Sequence, residues 1–261
     1  MTATAPAGGS REVPLVAVAH GSADERSAQA VERLVARVRH LRPGLEARVA
    51  YLDHVTPDPQ RAVKELAGDG AGEVVILPTL LTAAYHSKVD LPGVIEQIRA
   101  TYPWLRIHYG ATLGPHPLLP AGVERRLAQV GVTGHAGTGL VVAAAGSSDA
   151  DANAVIASMA QRLAERGPWS QVVPAYASAA EPTPGAAVRR LHEVGIARVA
   201  VATYLLAPGF FADRIAEQAH AAGAAAVSPA LGDCPELAAI VLQRYDEARA
   251  ATPHVEHTAA P

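Results

Sequence analysis

The sequence predicts an α/β fold of two similar lobes, each a parallel sheet of about four strands flanked by helices, with a cleft between them. Three observations carry this expectation. Short, nearly continuous apolar runs alternate with segments of helical periodicity, as in strands buried on both faces by crossover helices. The same order of runs appears twice at one constant spacing. With 261 residues, nearly half of them apolar and 18% charged, the chain can bury a core of that size.

The first apolar run, Val13–Ala19, stops at His20-Gly21-Ser22 and reads as a strand. From Ala28 to Leu41 the apolar positions Val31, Leu34, Val35, Val38 and Leu41 fall on one helical face. Ala47–Leu52 reads as a strand, Asp58–Ala67 as a helix, Glu73–Leu81 as a strand, Lys88–Thr101 as a helix and Leu105–Tyr109 as a strand. Asp90, before Leu91-Pro92, reads as a helix-start residue. In such sheets ligands sit at the carboxyl ends of the strands.

A shift of 125 residues lays the second half on the first. Leu140-Val141 falls on Leu15-Val16, Gly146-Ser147 on Gly21-Ser22, Asp149 on Asp24, and Ala175-Tyr176 on Ala50-Tyr51. Pro182 and Pro184 fall on Pro57 and Pro59, and Leu205-Leu206 on Leu80-Leu81. Shared rhythm alone would not keep the Pro-x-Pro pair and both Gly-Ser turns in register. Residues 13–128 and 138–250 are therefore read as two lobes joined around the Gly-rich stretch Gly131–Gly139, with disordered tails at 1–12 and 251–261.

Composition removes several classes of function. A net charge of −3 offers no electrostatic footprint for nucleic acid or an anionic membrane. No apolar stretch is long enough to span a membrane. The single cysteine, Cys234, cannot form an internal disulfide or a thiolate cluster, which points to a reducing compartment, the cytoplasm.

The repeat also locates candidate chemistry. His20 ends the first strand and meets Ala145 in the second lobe, and Asp53 ends the second strand and meets Ser178. His86 follows the third strand and meets Phe211, or Phe210 if Tyr85 is an inserted residue. The scaffold is kept twice and the ionisable groups once, the pattern of one active lobe and one supporting lobe. Two imidazoles and a carboxylate with open positions suit Fe2+, Co2+ or Ni2+ held loosely enough to be passed on. The same imidazoles can accept protons. His54 reads as a loop residue, and the remaining histidines as surface or satisfied core groups. Ser22 fits a helix cap, and the helix N-terminus behind it favours a carboxylate; Gly146-Ser147 repeats that turn. Lys88, Arg26 and Arg214 are possible partners for substrate acids. Phe210 and Phe211 fit a plain helix core at least as well as a packing face for a flat ring.

The pieces Ala19-His20-Gly21-Ser22, Leu80-Leu81-Thr82-Ala83-Ala84, His86-Ser87-Lys88-Val89-Asp90-Leu91-Pro92, Tyr109-Gly110, Leu113-Gly114, Gly146-Ser147-Ser148-Asp149 and Tyr204-Leu205-Leu206 occur in this order. Together they resemble the sirohydrochlorin chelatases, the class II chelatases that include sirohydrochlorin ferrochelatase and the anaerobic cobaltochelatase of cobalamin synthesis. The resemblance runs from about Pro14 to Tyr245. It implies two flavodoxin-like lobes around an open cleft and a lyase-class chelatase that makes sirohaem from sirohydrochlorin. His20 and His86 are implied as catalytic and metal-handling residues, with Asp53, where iron-inserting members carry Glu, as a third metal group. Gly21, Ser22, Ala84, Lys88, Gly146 and Ser147 are the implied substrate contacts. The metal is a substrate, Fe2+ in first place and Co2+ as the rival, with no permanently bound cofactor. The expected partners are sirohydrochlorin and the metal ion, and the chain is expected to be a monomer. A cobaltochelatase and a non-catalytic tetrapyrrole or metal carrier are the alternatives. A histidine phosphatase is disfavoured because Ala19, not Arg, precedes His20.

Overall fold

The structure is a computed structural model that describes residues 12–82 and 90–251. The chain runs β1 (Leu15–Ala19), α1 (Glu25–Leu41), β2 (Ala47–Tyr51), α2 (Pro59–Gly68), β3 (Glu73–Pro78), α3 (Leu91–Thr101), β4 (Arg106–Tyr109) and α4 (Leu119–Ala128). The second half repeats it: β5 (Thr138–Ala144), α5 (Ala150–Arg166), β6 (Gln171–Tyr176), α6 (Pro184–Glu193), β7 (Arg198–Thr203), α7 (Phe210–Ala221), β8 (Ala226–Val227) and α8 (Pro235–Ala251). Two four-stranded parallel sheets result, ordered β2-β1-β3-β4 and β6-β5-β7-β8.

The strands read as unbroken apolar runs because both of their faces are covered. Along β1, Leu15, Ala17 and Ala19 face a central core, while Val16 and Val18 face an outer core under α2 and α3. In β5, Leu140, Val142 and Ala144 face the same central core, and Val141 and Ala143 an outer one under α6 and α7. The expected overrun of the third strand to Leu81 is corrected to Pro78, after which Thr79 N–H makes a last bond to the Val18 carbonyl. The first strand starts at Leu15 rather than Val13, after Pro14.

The Pro-x-Pro repeat has a local purpose in each lobe. Pro57 and Pro182 turn their carbonyls back to accept the N–H of Tyr51 and Tyr176, both at 2.9 Å. Pro59 and Pro184 then open α2 and α6 in the first turn, where no N–H is needed. Asp58 and Thr183 cap these helices by accepting from Arg61 N and Ala186 N.

The lobes are not contiguous in space as the sequence suggested. Helix α4 closes the first repeat yet packs on β7 and α5, and α8 closes the second repeat yet packs on α1, β3 and β4. Each sheet thus takes its last covering helix from the other half, and one central core runs through both. Glu12 and Ala251, assigned to tails by sequence, belong to this folded body: Glu12 lies 3.9 Å from Arg42, and Ala251 ends α8. The remaining tail residues lie outside the described ones.

The constant shift holds through α1/α5, α2/α6 and β3/β7 and then breaks. Pro78 and Thr203 are 125 apart, but Thr101 and Ala221, which end α3 and α7, are 120 apart. Lobe one holds five extra residues in this stretch, not the single insertion at Tyr85. The pairing of His86 with Phe210 or Phe211 is therefore not fixed by the repeat.

Candidate active site

In both sheets the crossovers leave in opposite directions from the first strand, so a crevice opens at the carboxyl ends between β1 and β3 and between β5 and β7. The two crevices face one another and form a single cleft of about 690 Å3, a volume suited to a small-molecule ligand. Lobe one lines it with Ala19-His20-Gly21-Ser22, His54 and Thr79–Thr82, and lobe two with Ala144–Ser148, Asn153 and Tyr204–Ala212.

Backbone contacts build the His20 turn. The N–H of Leu52 and Asp53 donate to the carbonyls of Ala19 and His20, extending the β1–β2 pairing past the strand ends. The carbonyl of Asp53 then presses on Gly21, where a Cβ would sit 1.8 Å from that oxygen. Gly21 also has a φ of +95°, so glycine is required twice over. Gly146 is built alike, with φ +85° and a would-be Cβ 1.9 Å from the Ser178 carbonyl. His20 is half-buried at the cleft wall, its Nδ1 3.1 Å from the Gly21 carbonyl.

Ser22 does not cap α1. Its Oγ accepts from the N–H of Asp24 at 3.1 Å, and Asp24 is the cap, accepting from Arg26 N at 2.9 Å. Ser147 and Asp149 repeat this relay before α5. Because Asp24 does the capping, α1 starts at Glu25, earlier than the expected Ala28. In lobe two, Asn153 grips the turn by accepting from Ser147 N and donating to the Ser147 carbonyl.

Asp53 and His54 exchange the places that sequence gave them. The Asp53 carboxylate accepts from the N–H of His54 at 2.8 Å and lies 3.4 Å from its Nε2. It is 63% exposed and does not line the cleft, whereas the His54 side chain does. His54 has a positive φ of 62°, and Ala179, with φ 58°, is its equivalent in lobe two. No group of three His, Cys, Asp or Glu that could hold a metal occurs among the described residues. His86, Lys88 and Ala84 lie outside the described residues. Asp90 precedes α3 in helical conformation and makes no side-chain cap bond.

The profile of the CbiX family matches residues 14–130 and 139–248. The chain belongs to the CbiX family. It is 26% identical over 204 residues to the sirohydrochlorin ferrochelatase of Priestia megaterium, covering 77% of this chain and 76% of that one. It is 25% identical over 204 residues to the sirohydrochlorin cobaltochelatase of the same organism, covering 77% of this chain and 66% of that one, just under two thirds of its length. The solved structure of SirB from Bacillus subtilis with Fe3+ superposes with a TM-score of 0.80 over 90% of this chain and 94% of that one, at 24% identity, and shares the fold.

In this CbiX-family chain the described lining of the cleft includes His20 and His54 and no Lys, Arg, Asp or Glu. Tyr204 stands where lobe one has Thr79; burial pushes its phenol well above the ordinary range, so it stays neutral. Arg26, a weak candidate for substrate acids by sequence, sits at the rim and pairs with Asp24 and with Asp213 of α7. Phe210 and Phe211, for which the sequence left a helix core and a packing face for a flat ring both open, are 66% and 39% exposed and border the cleft. Their burial could not be read from the sequence because α7 fills its core side with Ile215 and Ala219.

Proposed function

We propose that this chain inserts a divalent metal ion into sirohydrochlorin. The observation that carries this reading is the one-sided cleft: a roomy slot with His20 on one wall and Ala145 at the matching point of the other. The named relatives, one iron-inserting and one cobalt-inserting, support the same reaction.

The chemistry sets two requirements. A divalent ion replaces two pyrrole protons, so the site must deliver a partly desolvated metal and remove two protons. Neutral imidazole does both, as a ligand for borderline metals and as a base near neutral pH. We assign these tasks to His20 and to His86 on the segment after β3, with Asp53 acting through His54 or on the metal. An exposed loop carboxylate attracts a hydrated cation, and the adjoining imidazole stands at the cleft. Such loose ligation suits a metal that is substrate and must leave.

Gly21, Ser22, Gly146 and Ser147 shape two facing helix starts, and we assign them, with Ala84 and Lys88, to the acidic edge of the macrocycle. The backbone N–H groups at these turns favour anions. Iron is our first choice of metal and cobalt the second, because the iron-inserting relative is matched over more of its length. Both described walls of the cleft come from one chain, and its lobes share a core through α4 and α8, which supports a monomer. A single buried cysteine fits the cytoplasm, and no helix among the described residues is long and apolar enough to cross a membrane.

The test mixes protein, sirohydrochlorin and either Fe2+ or Co2+ and follows the absorption spectrum under anaerobic conditions. Catalytic turnover with at least one metal is expected, faster with iron. A stoichiometric bound spectrum with no turnover for either metal makes the protein a carrier and overturns the proposal.

A further inference from the structure

Lobe two's wall carries a feature that metal handling does not require. Phe210 and Phe211 are the two phenylalanines of the chain. They stand next to each other at the start of α7, exposed, with ring centroids 5.3 Å apart and planes at 70°. Neighbouring helical residues point about 100° apart and can share a buried face, as Leu34 and Val35 do on α1. Here neither is buried, and the water-facing rings border the cleft.

Their position is tied to the histidine turn. Gly209, with φ +145°, brings the chain into α7 so close to lobe one that a Cβ there would lie 3.8 Å from Asp24 and 4.0 Å from Ser22 Oγ. Asp213, within the first turn, meets Arg26 of α1 at 2.5 Å. The rings are thereby held at a set place relative to His20-Gly21-Ser22. Leu205, Leu206 and Pro208 continue the same wall as a mainly apolar surface.

We propose that Phe210 and Phe211 are substrate-positioning residues against which the flat face of the tetrapyrrole lies while lobe one presents the metal. This rests on the chelatase reading above. The occupant follows from the geometry: the pair is continuous with the slot that holds His20, and an edge-to-face pair offers a ring face to a planar π-system. A wall of this kind holds the macrocycle by dispersion and desolvation without adding a ligand that would compete for the metal.

The test compares wild type with Phe210→Ala/Phe211→Ala, Phe210→Leu/Phe211→Leu and Phe210→Trp/Phe211→Trp. Metal-free sirohydrochlorin binding is titrated by absorption, and initial rates are taken against each substrate. The alanine pair is expected to raise Kd and KM for sirohydrochlorin about tenfold, with KM for the metal and Tm unchanged. The leucine pair, which keeps apolar bulk without a flat ring, is expected to recover part of this and the tryptophan pair most of it. Wild-type Kd and KM in the alanine pair, beside an active wild type, overturn this assignment alone. A wild-type dimer that the alanine pair converts to monomer also overturns it, since a second copy then covers the rings. A wild type that neither binds nor metallates sirohydrochlorin overturns the chelatase reading first.

Discussion

At the end of β1 the chain runs His20-Gly21-Ser22 into α1, and at the end of β5 it runs Ala145-Gly146-Ser147 into α5. The two turns share a positive-φ glycine jammed against a carbonyl, a serine that accepts from the N–H two residues on, and an aspartate cap. They differ in the side chain at the strand end. What the fold needs is thus present twice, and the imidazole to which we assign chemistry stands in the first turn alone. The sharpest way to break that contrast is at His20. His20→Ala is expected to lower kcat by on the order of 100-fold or more with either metal, with the far-UV spectrum and Tm retained. Adding Ala145→His to that variant is expected to restore nothing; a tenfold recovery would mean that either strand end can serve.

The glycines test the shared half of the contrast. Gly21→Ala and Gly146→Ala each place a methyl within 2 Å of a carbonyl oxygen at a positive φ. Each is expected to cost about 2–4 kcal/mol in denaturant unfolding. The losses in stability should match, while kcat should fall further for Gly21→Ala because His20 moves with it. Equal loss of kcat in both would undo the assignment of chemistry to lobe one.

A smaller effect tests whether the helix starts are equivalent. Asp58 caps α2 and Thr183 caps α6, at positions 125 apart, each between two prolines. Asp58→Ala and Thr183→Ala are both expected to cost about 1 kcal/mol, read as shifts in denaturant midpoint at constant slope. A difference of more than about 1 kcal/mol between them, beyond ordinary cap variation, would show that the two lobes carry unequal shares of the cooperative unit.

Much of this contrast was legible in the sequence, for a physical reason. Strands covered on both faces must be apolar at every position, so β1, β3, β5 and β7 announce themselves, and turns that need glycine or proline keep them in both copies. Three things were not legible. Residue pattern does not say that α4 and α8 each cover the other half's sheet. Asp53 and His54 are adjacent, and residue type does not say that His54 lines the cleft while Asp53 does not. Ser22 and Asp24 are both capping residues, and the relay between them emerges from the geometry of the turn. For Phe210 and Phe211, apolarity allowed a helix core or an exposed packing face, and the core side of α7 is filled by Ile215 and Ala219.

The weakest expected effect concerns the ion pair that joins α1 to α7. Arg26 holds its own helix cap, Asp24, at 2.6 Å and reaches Asp213 of α7 at 2.5 Å. Hydrogen bonds from Arg26, chiefly by its side chain, hold the Asp24 carboxyl below its ordinary range, and those from Asp24 and Asp213 raise the guanidinium further above its own. Acidification toward pH 5 therefore leaves the Arg26–Asp24 pair charged, and ionic strength is the better lever. All three groups face solvent, where such pairs contribute little and salt screens them over about 8 Å at physiological strength and about 3 Å at 1 M. Arg26→Ala should leave Tm and kcat nearly unchanged. It should raise KM for sirohydrochlorin less than about threefold at low salt, since an exposed pair is worth at most about 1 kcal/mol. The difference from wild type should vanish at 1 M salt. Persistence of the difference at high salt would mean that Arg26 binds substrate directly, not that it tethers α7. The lobes would then be unequal in substrate recognition as well as in chemistry.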